Sequence, residues 1–178
     1  MKNVFIFLIL SINAHAFEMG RATMSGDCES KTKPVEMEAL DIHSKKINVP
    51  IQILVDKKNS KLVEREICNI RIPITLKKNE SLIIKNIKQD AETTLDSKSK
   101  AIFNLDVSVV GINPELKLFV ESQKSEKIRM TTANKPIVTD CGQPVMLALN
   151  SSVRIEGTGL GKALSQSASF DIISQTCK

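Results

Sequence analysis

The chain contains neither tryptophan nor tyrosine, and phenylalanine, with six copies in 178 residues, is its only aromatic ring besides two histidines. Sugar-binding faces and single-stranded nucleic-acid platforms commonly stack their ligands on exposed aromatic rings, so a stacking site of either kind is disfavoured. One histidine, His15, lies in the leader described below, which leaves His43. A Ser–His–Asp arrangement would have to combine His43 and Asp41 with a serine that no feature singles out. Triad members converge from separate elements, and His43 reads instead as an ordinary strand-end residue. No pair of cysteines is spaced C-x-x-C and no D-x-D-x-D-G loop occurs, so zinc, thioredoxin-type and calcium chemistry all lack their ligand patterns. Gly157-Thr158-Gly159-Leu160-Gly161-Lys162 resembles a phosphate loop only at first sight. Glu156 stands at the first glycine of G-x-x-x-x-G-K, and Ala163 replaces the metal-binding hydroxyl. The stretch reads as a flexible hairpin tip. No catalytic, cofactor-binding or metal-binding residue is assigned.

Long apolar runs are missing as well. Val4 to Leu10 follows Lys2 and leads into Ala14-His15-Ala16. That is too short for a bilayer, which needs about 20 apolar residues. A basic start, a short apolar stretch and small residues at −3 and −1 describe a secretory signal peptide over residues 1–16, cut before Phe17. No integral membrane segment is expected after the cut. The expected compartment is outside the cytoplasm, either periplasm or medium.

All four cysteines, Cys28, Cys68, Cys141 and Cys177, follow that cut. An even number behind an export signal points to disulfides. Val145 to Glu156 and Ala168 to Cys177 are both β-patterned and flank the glycines. Paired as a hairpin, they would bring Cys177 close to Cys141, within the roughly 7 Å that a bridge requires. Cys28 then pairs with Cys68. The alternative is a Cys28–Cys177 clasp around a Cys68–Cys141 bridge.

Period-two alternation dominates the remainder. Ile47, Val49, Ile51, Ile53 and Val55 share one face of a strand that Pro50 places at a sheet edge. Cys68, Ile70, Ile72, Ile74 and Leu76 repeat the pattern with Asn69, Arg71 and Thr75 facing out, and Pro73 suggests an edge or bulge. Further strands cover 81–88, 102–110, 116–121 and 127–132. In the longest, Phe103, Leu105, Val107 and Val109 oppose Asn104, Asp106 and Ser108. Only Asp90 to Ser99 could hold a helical turn. Short strands separated by turns, without strand–helix alternation, predict an all-β fold: a single antiparallel β-sandwich over residues 17–178, stapled by two disulfides.

The formal net charge is +5. The lysines are spread along the chain and pair where strands should end, a common protection of sheet edges, so solvated edges are favoured over a polyanion site. Two Asn-x-Ser sequons, at Asn79 and Asn150, matter only in a eukaryotic secretory pathway.

Gly26-Asp27-Cys28, Arg65-Glu66-Ile67-Cys68-Asn69-Ile70, and Asp140-Cys141-Gly142 running into Leu147 to Ile155 before Cys177 resemble a family of small secreted proteins, domain of unknown function 4360, found in fungi and bacteria. The resemblance implies an exported, disulfide-bonded β-sandwich and carries no catalytic residues. The expected role is a non-enzymatic binding or structural module at the cell envelope or beyond it, with an unidentified protein or surface partner, no nucleic acid and no cofactor. The alternatives are a secreted hydrolase whose carboxylates assemble from distant strands, and a secreted toxin or inhibitor.

Overall fold

The computed structural model describes residues 17–28, 35–41, 43–59, 61–112, 115–132 and 135–177. The signal peptide expected over residues 1–16 lies outside them. In chain order the strands are β1 (Phe17–Met19), β2 (Thr23–Gly26), β3 (Glu36–Ala39), β4 (Ser44–Val49), β5 (Ile53–Lys57), β6 (Val63–Leu76) and β7 (Glu80–Leu95). They continue with β8 (Ser99–Val109), β9 (Leu116–Ser122), β10 (Glu126–Thr131), β11 (Ile137–Val138), β12 (Val145–Gly157) and β13 (Gly161–Thr176). Every pairing is antiparallel.

Two sheets pack face to face. The first runs β1-β6-β12-β8-β9, with β2 also on β6; the second runs β10-β7-β13-β4-β3, with β11 on β7 and β5 on β13. Between them lies an aliphatic core. Ile70, Ile72, Leu149, Val153, Phe103 and Val107 come from the first sheet, and Ile47, Ile53, Leu82, Ile84, Phe170 and Ile172 from the second. The alternation read from the sequence generates this core, because residues at i, i+2 and i+4 share one face of a strand. All-β architecture and both disulfides, Cys28–Cys68 and Cys141–Cys177, are as the sequence predicts.

The route to the second disulfide differs from the expected one. β12 and β13 do not form a hairpin ribbon: β12 pairs with β6 and β8, while β13 pairs with β7, β4 and β5. The glycine stretch carries the chain from one sheet to the other. Cys141 and Cys177 meet because both strands have an end beside the β6–β7 turn. There Gly142 N–H donates to the Glu80 carbonyl at 2.8 Å and Cys177 N–H to the Asn79 carbonyl at 2.9 Å.

The helical turn expected within Asp90 to Ser99 is strand instead, the second half of β7 up to Leu95. Two features hid it. The inward residues change from Leu82 and Ile84 to Gln89, Ala91 and Thr93, and the alternation slips by one at Asn86, where φ is +54°. The ladder to β13 records that slip and a second one. One extra residue bulges out of β13 between Ser165 and Ser167, another out of β7 opposite Ser169–Asp171, and beyond both the original register returns.

The prolines are placed differently too. The strand expected from Ile47 to Val55 is broken at Pro50–Gln52 into β4 and β5, and β4 is covered by β3 rather than lying at an edge. Pro73 sits inside the first sheet, but at the gap between β1 and β2. Its carbonyl accepts from Gly20 N–H at 2.8 Å, and the N–H that proline lacks would point to that same side.

Candidate functional site: the outer face of the first sheet

The glycine stretch is a clamped crossover. The Asp96 carboxylate accepts from Leu160 N–H at 2.7 Å and from Lys98 N–H at 3.0 Å. These backbone bonds, that of Leu160 foremost, hold the Asp96 pKa below the ordinary carboxylate value. From below, the ammonium of fully buried Lys57 donates to the carbonyls of Gly159 and Asn59. A Cβ on Gly159 would fall 1.8 Å from Asp96 Oδ1, and Gly157 has φ +109° with the Lys98 carbonyl 2.1 Å from where its Cβ would be. At Gly157 glycine lets backbone touch backbone, and at Gly159 it leaves room for the Asp96 carboxylate.

His43 and Asp41 do not form a catalytic pair. Asp41 accepts from the backbone N–H groups of His43 (2.7 Å) and Ser44 (2.8 Å) and from the Ser44 hydroxyl. The Ser44 hydroxyl, followed by the His43 backbone, lowers the Asp41 pKa. The carboxylate closes the β3–β4 turn through these three hydrogen bonds. Among the described residues no three histidine, cysteine or acidic side chains converge as a metal site, and no helix is long and apolar enough to cross a membrane.

Two acidic side chains do share one lysine. Glu121 and Glu156 flank Lys100 Nζ at 3.2 and 3.3 Å, beside a shallow cleft of about 350 Å³. Their hydrogen bonds hold the lysine above its usual pKa. The lysine thus fills the space between the two carboxylates, where glycoside cleavage would have to place the scissile bond.

The outer face of the first sheet carries closely spaced polar side chains on five strands. Cross-strand register sets its rows. Lys117, Asp106, Asn150, Asn69 and Ser25 form one, and Phe119, Asn104, Ser152, Ile67 and Asp27 lie along the next. Ser108, Ala148, Arg71 and Thr23 make a third, and Glu121, Ile102, Arg154 and Arg65 a fourth. Arg71 Nη1 donates to Asn150 Oδ1 at 3.1 Å and Asn104 Nδ2 to Ser152 Oγ at 3.4 Å. Because each side chain rises from a paired strand with a filled core beneath it, the amides and hydroxyls are held in a fixed lattice. Phe17, Phe103 and Phe170 are core residues, while Phe119 is 62% exposed on this face.

Part of the lattice is legible in sequence: Asn69 and Arg71 face out in one predicted strand, and Asn104, Asp106 and Ser108 in another. Its assembly from five strands is not, because strand order leaves no local signal. Arg65 was missed because β6 starts at Val63, five residues before the alternation becomes apolar.

No known protein family matches the chain, and no curated protein does. Among solved structures it is similar to TmCBM61 in complex with beta-1,4-galactotriose, at 13% identity over 87% of this chain and 88% of that one, with a TM-score of 0.29. It is also similar to the family 11 carbohydrate-binding module from Clostridium thermocellum in complex with a beta-1,3-1,4-mixed-linked tetrasaccharide, at 6% identity over 86% of each chain, with a TM-score of 0.25. Scores this low carry neither a ligand nor a site over to this chain. The class defined by its own coordinates is a two-sheet antiparallel β-sandwich with two disulfides.

Proposed function

We propose that this is an exported, non-enzymatic binding module of the four-cysteine family that its motifs resemble, acting at the cell envelope or outside it through the outer face of the first sheet. One observation carries the reading: five adjacent strands present a lattice of amides, hydroxyls and guanidinium groups on a backbone that is paired throughout. Preorganised polar groups bind with little loss of conformational freedom. Two disulfides suit an oxidising compartment, and the leader supplies the route to it.

The test is retention of the purified, oxidised protein on isolated envelope fragments and on macromolecules from the medium. Asn104→Glu with Ser152→Glu should abolish retention by placing two negative charges mid-face. Lys88→Gln with Lys127→Gln, on the outer face of the second sheet, should leave it intact. The reading fails if the second pair abolishes retention and the first does not, or if the protein turns over a substrate in a hydrolase panel.

A further inference from the structure

Arginine is the rare cation here, with five copies against twenty lysines. Its distribution is uneven. Arg129 alone belongs to the second sheet, where Asp90 holds it at 2.6 Å. Arg65, Arg71 and Arg154 all lie on the outer face of the first, on neighbouring strands β6 and β12.

The two outer faces treat their charges differently. On the second sheet, cations stand opposite anions: Lys127 faces Glu92, and Asp171 lies between Lys85 and Lys46, which in turn faces Glu38. The β8–β9 half of the first sheet is balanced in the same way, by Lys100 with Glu121 and Glu156. The β6 side is not. Arg65 stands directly opposite Arg154, a like-charge pairing that destabilises a sheet. Arg154 is compensated by Glu156 at 3.0 Å, while Arg65 has no ion pair among the described residues. Arg71 donates to an amide and to the Ile70 carbonyl, with no carboxylate.

Uncompensated guanidinium groups match oxyanions such as carboxylate or sulfate, two of whose oxygens they bind with paired hydrogen bonds. Arg65 and Arg71 are six residues apart on one strand, about 20 Å at 3.3 Å per residue. One small anion cannot reach both; an extended chain can. Between them stand Asn69, Asn150 and Ser152, donors and acceptors suited to hydroxyl groups, while the Asp27 carboxylate beside Ile67 accepts from the Ile67 N–H at 3.1 Å at the edge of the strand. A protein partner would call for an apolar or aromatic anchor at the centre. Between the two arginines the stripe offers half-buried Ile67 and buried Ala148. Exposed Val63 and Met146 lie beyond its two ends rather than at its centre, and Phe119 lies three strands from Ile67, about 14 Å away.

We propose that this stripe of β6 and β12 binds an acidic polysaccharide, with Arg65 and Arg71 taking its uronate or sulfate groups and the intervening amides its hydroxyls. The inference rests on the proposed function and names the ligand class for that face.

Affinity electrophoresis through gels containing polygalacturonate, heparin or neutral dextran tests it, with the oxidised protein and its Arg65→Gln/Arg71→Gln variant. Retardation is expected in polygalacturonate, in heparin or in both, and not in dextran; which gel retards separates uronate from sulfate. The double variant should lose about ten-fold or more in affinity, the loss that follows from removing charge-assisted hydrogen bonds, whereas Lys88→Gln/Lys127→Gln should bind as the parent does. Arg65→Gln alone should melt no lower than the parent, since it removes a like-charge pair, so lost binding is not lost folding. Equal retardation of parent and double variant overturns the inference, because scattered lysines would then suffice. Absence of binding to either acidic glycan, with envelope retention still sensitive to Asn104→Glu/Ser152→Glu, overturns it and leaves the binding face standing; a protein partner would be the reading then favoured. Loss of both results overturns both proposals.

Discussion

Severing the disulfides one at a time tests how far the sandwich depends on covalent closure. Cys28–Cys68 spans 40 residues and Cys141–Cys177 spans 36. The rings do not overlap in sequence, so each restrains its own stretch of the unfolded chain. The chain-entropy relation gives about 4 kcal/mol for either ring, and about 8 kcal/mol for both if the effects add. Net stabilities of folded domains are about 5–15 kcal/mol, so full reduction should bring the protein close to unfolding at room temperature. For a chain of this size 1 kcal/mol shifts the melting temperature by about 2–4 °C, which places each Cys→Ser pair about 8–16 °C below the parent. Replacing Cys141 and Cys177 leaves the backbone bonds Gly142 N–H to Glu80 and Cys177 N–H to Asn79 available, so the clasp can persist without its sulfurs. With neither tryptophan nor tyrosine present, tryptophan fluorescence cannot report the transition; calorimetry or far-ultraviolet circular dichroism can. Two variants that melt within about 2 °C of the parent would refute the reasoning. So would a reductant-treated protein with an unchanged melt, since the rings would then constrain nothing that folding must overcome.

Three further outcomes are expected. Gln89 is buried between the sheets and its amide donates to Ser165 Oγ at 2.7 Å and Ser151 Oγ at 3.0 Å, while its Oε1 accepts from no group among the described residues. Gln89→Met should destabilise by about 1–2 kcal/mol by orphaning the two hydroxyls, and adding Ser151→Ala and Ser165→Ala should recover most of that in urea titrations. Gly157→Ala, which forces a side chain into a left-handed backbone against the Lys98 carbonyl, should cost at least about 2 kcal/mol by the same assay. For Asp96, a folded pKa below the ordinary value means stability that is present above the unfolded pKa and lost as pH falls through the folded one. Melting temperature should therefore drop on acidification below about pH 4, and Asp96→Asn should flatten that acid limb.

Alternation made the core legible residue by residue, because Ile70, Ile72 and Ile74, or Phe103, Leu105 and Val107, announce an inward face without any knowledge of neighbours. Pairing is another matter. Val145–Gly157 and Gly161–Thr176 are adjacent in sequence and both β-patterned, which is what a hairpin looks like, yet the clamp of Asp96 and Lys57 on the glycines turns the chain across the sandwich. The correct disulfide emerged because a crossover and a hairpin both bring the far ends of the two strands together. β7 failed for a different reason: Gln89 and Thr93 face inward and satisfy their hydroxyls and amides there, so hydrophobicity stops marking the buried side. The arginine stripe combines both difficulties, since Arg65 precedes the apolar pattern and its neighbour Arg154 is brought to it only by the sheet.

The two bulges let β7 and β13 differ in local length and still share one ladder. Each adds a single exposed residue between inward ones, Gln166 between Ser165 and Ala168 and Asn86 between Ile84 and Ile87. Losing either residue would leave plain alternation, so Ala168, Phe170 and Ile172, like Leu82 and Ile84, would keep facing the core. Losing a residue between paired positions elsewhere in these strands would instead turn the remainder toward water. Insertions and deletions in the two strands should therefore be absorbed at Asn86 and Gln166 rather than between paired positions.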